Sequence, residues 1–234
     1  MWFAGAGWLL YLVGSVGYML ADSLSQRVPD WLFLVLALLF VLDSLLYLMA
    51  WRTDAKAAID LWCWTELVNV TASVFCAVAA GLYLGLPLPA GDTALATETY
   101  LQLQSGLYFT GTTLFFLNAL MSLSLYRAEP GRPKVRDAAF WAEVCNVLPG
   151  AGYWATSVLQ LASHVQMASL HDSSSALYEA SVEVLRLVRS VNIAFDLLYI
   201  FDAGLYAYVW ICEHTPDTPP VTVRVFRPGD FGAL

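Results

Sequence analysis

Five carboxylates stand inside long apolar stretches of this sequence: Asp43, Glu66, Glu143, Asp196 and Asp202, accompanied by the amides Asn69, Asn118, Asn146 and Asn192. An ionisable side chain among lipid tails is costly, so such residues face a bundle interior and carry either function or helix pairing. Carboxylates repeated around a bundle would line a polar vestibule or ion path. The same groups would also serve as hydrogen-bond stitches between helices, each worth roughly 0.6 kcal/mol and at most about 2 kcal/mol. Depth sorts them: Asp43 precedes the interfacial Trp51 by eight residues, about 12 Å of helix, whereas Glu66 sits only about 3 Å inside Trp64. Glu66 and Glu143 are thus expected to reach the interface and pair with Arg52, Arg127 or Arg136. Asn69 and Asn146 fall within reach of a deeper Asp43, Asn118 and Asp202 layer. That layer occupies one leaflet and its middle member is neutral, which favours stitching over a continuous path.

A second polar stripe runs along the last apolar block, where Arg189, Asn192, Asp196 and Tyr199 fall at i, i+3, i+7 and i+10 on one helix face. Arg189 is expected to be neutralised by Asp196 or by a lipid phosphate. Signatures of hydrolases, metalloproteases and nucleotide-binding loops are missing, so no catalytic residue is assigned. No cofactor or metal ligand set is expected either. His164 and His171 read as loop histidines on one side and His214 lies on the other, while Cys63, Cys76, Cys145 and Cys212 share no paired spacing and read as small apolar residues.

The elements that must position these groups follow from composition. Of 234 residues, 59% are hydrophobic and 13% charged, half the usual charged fraction of about 25%, and the mean hydropathy is +0.62. A net charge of -8 argues against nucleic acid, whose phosphates need a basic face. Six blocks approach the roughly 20 apolar residues that cross a bilayer: Trp8 to Ala21, Trp31 to Trp51, Leu61 to Gly85, Leu107 to Tyr126, Phe140 to Ala162 and Val188 to Trp210. The N-terminus lacks a basic segment and a cleavage site and reads as a retained helix. Arg52 and Lys56, then Arg127, Arg132, Lys134 and Arg136, then Arg224 and Arg227 put both termini on the inner side; Arg27 is the exception among the opposite loops, with Arg186 and Arg189 leading into span six. The last helix, capped by Ser173 to Ser175, is expected to run to Glu213 and to project beyond the membrane as a docking surface.

The spans repeat. Trp64-Thr65-Glu66-Leu67-Val68-Asn69-Val70 and Trp141-Ala142-Glu143-Val144-Cys145-Asn146-Val147 share W-x-E-[LV]-x-N-V. Asp43, Tyr47 and Trp51 match Asp202, Tyr206 and Trp210, and Asn118, Ser122 and Tyr126 form a middle copy. Three parallel hairpins around an axis along the membrane normal are expected. The first, with Gly14-Ser15 in Trp8 to Tyr18 and Leu38 to Arg52 after it, resembles the YrhK-type two-helix membrane module over residues 8–52, although Asp43-Ser44 stands where that module would have Gly-Ser. The resemblance implies a helix-pair fold and no activity.

Pro149-Gly150-Ala151-Gly152 predicts a kink or unwound turn in span five, and Gly5, Gly7, Gly14 and Gly17 suit span one to close packing. The fold class expected is all-α: a polytopic membrane protein of six transmembrane helices, with hairpins over 1–56, 57–136 and 137–213 and a proline-rich inner tail over 214–234. Val221 to Phe226 in that tail alternates like a strand and would add to a partner's sheet edge. Functionally, the sequence reads as a non-catalytic integral subunit, embedded in the lipid bilayer and docked to other membrane proteins of an organellar inner membrane or another energy-transducing membrane. The alternative is a small channel or transporter built on the acid and amide layer.

Overall fold

The computed structural model describes residues 6, 10, 12–17, 19–20, 30–54, 60–84, 93–128, 138–169 and 176–214, which are helical throughout except at Asp60 and Leu84 and include no strand. The first helix, α1, is described at 6, 10, 12–17 and 19–20. It is followed by α2 (Asp30–Asp54), α3 (Leu61–Tyr83), α4 (Thr93–Ala128), α5 (Ala138–Ser169) and α6 (Ala176–His214). Expectations resting on Arg27, Lys56, Arg132, Lys134, Arg136, His171, the serines 173–175 and the tail beyond residue 214 lie outside the described residues.

Helix ends follow local chemistry. Asp60 is the N-cap of α3: its backbone is extended and its carboxylate accepts the Cys63 amide at 2.8 Å. The same oxygen accepts the Trp51 indole N–H at 3.1 Å, which ties the end of α2 to the start of α3. Arg52 and Arg127 occupy the last turns of α2 and α4, and Glu179 the first turn of α6. Each sign complements the helix dipole.

Helices pack against their neighbours in sequence: α2 on α3, α3 on α4, α4 on α5 and α5 on α6. Glycines set the closest approaches. A Cβ on Gly14 would stand 2.9 Å from the Phe40 ring, and one on Gly17 would run into Leu36, so α1 rests on α2. At Gly111 a Cβ would meet backbone, the Ala72 carbonyl oxygen at 3.1 Å and the Cys76 nitrogen at 3.2 Å. Gly152 lies flat against the Phe195 ring.

Burial is inverted relative to a water-soluble domain. The interior holds small and polar side chains, such as Ala37, Ala72, Ala142, Ala203, Ser44, Ser73, Ser105 and Ser157, while Leu38, Leu42, Leu45 and Met49 of α2 and Leu197, Phe201, Tyr208 and Ile211 of α6 face outward. Small residues inside allow the close backbone contact on which helix association in lipid depends.

Among the described residues three helices are long and apolar enough to cross a membrane, at Trp31–Arg52, Leu61–Leu82 and Tyr100–Arg127. The described residues thus form an all-helical, membrane-associated structure. The remaining two long helices, α5 and α6, carry buried polar side chains, Thr156, Ser157, Asn192 and Asp196 among them. In α5 the helix runs unbroken through Pro149, so the unwound turn expected there does not form. Pro149 is fully buried, held by its neighbours within the bundle.

Candidate functional site

Four helices bring their acids to one place. Asp43 and Tyr47 stand one turn apart on α2, and Asp202 and Tyr206 repeat that spacing on α6. Tyr47 lies within electrostatic range of Asp43, Glu66, Glu143 and Asp202 together, and Tyr206 within range of Glu143, Asp202 and Tyr47. Glu66 is likewise close to Asp43 and Glu143. The Tyr206 hydroxyl donates to Glu143, and the Trp62 indole donates to Glu66 at 2.9 Å. Asp43, Glu143 and Asp202 are buried and Glu66 is half-buried. The acids share one field without converging on one point, since among the described residues no three acidic, histidine or cysteine side chains are arranged to hold a metal ion.

This corrects two expectations. Glu66 and Glu143 do not pair with Arg52 or Arg127, both of which are exposed; the glutamates turn inward to Trp62 and Tyr206 instead. Arg136, the third partner considered, lies outside the described residues. Asn69 and Asn146 are half-buried and form no bond with Asp43, Asn118 or Asp202. Asn118 leaves the acids altogether: its amide donates across α4 and α3 to the Thr65 carbonyl at 2.8 Å.

Away from the acids, hydroxyls and amides stitch neighbouring helices. Ser44 and Ser73 bond at 2.7 Å between α2 and α3, and Thr112 and Ser157 at 2.8 Å between α4 and α5. Between α5 and α6 the Thr156 hydroxyl donates to the Asn192 side chain at 2.9 Å, and the Tyr153 hydroxyl donates to Asp196. Tyr153 and Tyr199 stack with ring centres 5.9 Å apart. Asn192, Asp196 and Tyr199 therefore face α5, whereas Arg189 is exposed.

A further pair joins α4 to α5. His164 is helical and buried rather than in a loop, and its Nδ1 bonds the buried Ser105 hydroxyl of α4. Ser105 also reaches the Leu101 carbonyl at 2.7 Å, an arrangement satisfied when His164 donates to Ser105 and Ser105 donates onward. Burial holds the imidazole below its ordinary pKa of 6.5. The available sequence signal was weak: a histidine just beyond an apolar block and a serine 59 residues away.

Compared with known proteins, the chain matches no family model, and neither a curated protein nor a solved structure shows significant similarity to it.

Proposed function

We propose that this protein is a non-catalytic integral membrane subunit that packs into a larger membrane assembly, crossing the bilayer six times as three hairpins with both termini on the inner side. The observation that carries it is the length and surface of α6. Its 39 residues span about 58 Å, well beyond a hydrocarbon layer of roughly 30 Å. On the part preceding Val188, Leu177 and Leu187 are 55% and 60% exposed. Apolar side chains on a projecting helix are surfaces for a partner. The stitches between neighbouring helices support the same role, because they consume polar groups in assembly. Solubilised in mild detergent, the protein should co-purify with other membrane subunits at fixed stoichiometry; recovery as a lone monomer overturns the proposal.

The electrostatic proximity of Asp43, Glu66, Glu143 and Asp202 favours a second role, a small channel or transporter. Purified protein in liposomes tests it directly: solute or ion flux lost in Asp43→Asn would establish transport, and no flux above that of empty vesicles would end it.

A further inference from the structure

The carboxyls around Tyr47 come from two helix pairs that repeat one pattern. Asp43 with Tyr47 on α2 matches Asp202 with Tyr206 on α6, and Trp64-x-Glu66 on α3 matches Trp141-x-Glu143 on α5. Asp43 is 4% exposed and Glu143 8% exposed, and one carboxyl oxygen of each, Oδ1 and Oε2, is buried without a hydrogen-bond partner. Among the described residues no cationic side chain lies within ion-pair distance of Asp43, Glu66 or Glu143. The titratable neighbours are Tyr47 on α2, Cys63 on α3, Cys145 on α5, and Tyr206 together with Tyr199, which is close to Asp202, on α6. From α4 the neutral Asn118 amide reaches the Thr65 carbonyl, next in sequence to Glu66.

Negative charge so placed must be balanced, because water is excluded and like charges repel strongly in a low-dielectric interior. A metal ion would need three or more oxygens around one point, which these side chains do not supply. A proton needs only one oxygen. Once protonated, a carboxyl also gains a donor and is no longer confined to accepting, which suits the oxygens of Asp43 and Glu143 that no donor reaches.

We propose that Asp43, Glu66, Glu143 and Asp202 form a proton-binding site within the helix bundle, filled from water through half-buried Glu66 at the end where α3 and α5 begin. Each proton arrives from hydronium, forms an O–H bond on a carboxylate oxygen, and cancels one negative charge; water is left behind. The site goes beyond the subunit role and stands whether or not the protein has partners.

Infrared spectroscopy of the purified full chain in an ester-free detergent tests it. At pH 7 the spectrum should contain the carbonyl band of protonated carboxyl groups, shifted in deuterium oxide and reduced in Asp43→Asn and in Glu143→Gln. The unsubstituted protein decides the matter even if a variant fails to fold: absence of the band at pH 7 overturns the proposal. So does loss of the band on adding sodium or calcium chloride at constant pH, which would make the occupant a cation.

Discussion

Asp196 and His164 show how differently a buried polar side chain is accommodated in this bundle. Asp196 is 2% exposed and takes a hydroxyl from Tyr153, so removing that donor deprives a buried acceptor of a hydrogen bond, at a cost of about 1–3 kcal/mol. Tyr153→Phe should therefore lower the thermal unfolding midpoint in detergent more than Thr156→Val, which breaks a bond to the neutral Asn192; equal losses would show that Asp196 finds another donor. His164 is governed by protonation. Its imidazole is held below 6.5 in the folded chain, so the unfolded chain binds a proton over the interval between the folded value and 6.5 while the folded chain does not. Stability is then full above that interval and falls as pH drops through it. Thermal unfolding followed at decreasing pH should show this decline, and His164→Gln should flatten it; an unchanged slope would remove the Ser105 and His164 bond from the account.

Helix contacts in this protein depend on where glycine and one capping aspartate fall. Gly111 sits against α3 backbone, with Ala72 oxygen 3.1 Å and Cys76 nitrogen 3.2 Å from where a Cβ would lie, whereas Gly204 has nothing within 4 Å. Gly111→Ala is expected to destabilise by forcing α3 and α4 apart. Gly204→Ala is expected to stabilise by up to about 1 kcal/mol, the helix propensity of alanine over glycine. Opposite shifts in melting temperature check both, and shifts of the same sign would refute the packing described for α3 and α4. Asp60 joins two elements, capping α3 and accepting from Trp51. Asp60→Ala should cost about 0.5–2 kcal/mol, visible as a lower unfolding midpoint, while Asp60→Asn should retain most of the cap.

At the scale of the molecule, the proposed topology predicts that single cysteines introduced near the two ends of the chain, in a background lacking native cysteines, are labelled by an impermeant thiol reagent from the same membrane face. Labelling from opposite faces would break the three-hairpin arrangement. The long apolar helices themselves are legible in the sequence. Block length and hydropathy mark long helices because a lipid solvent forces every backbone amide to bond within its own helix, and the W-x-E and D-x-x-x-Y spacings single out Glu66, Glu143, Asp43 and Asp202. Helix rotation was not legible, since height along an axis does not say which neighbour a side chain meets. Height alone assigns Glu66 and Glu143 to interfacial arginines, yet they turn to Trp62 and Tyr206; it groups Asn118 with the acids, yet Asn118 bonds the Thr65 carbonyl. Periodicity and solvent preference act along the chain, so the sequence by itself determined an all-helical protein with membrane-crossing segments and the residue types at each depth. Which acids share one interior, and that His164 meets Ser105, were decided only when α2 to α6 packed, because those contacts join positions far apart in the chain through close approaches at glycine and alanine.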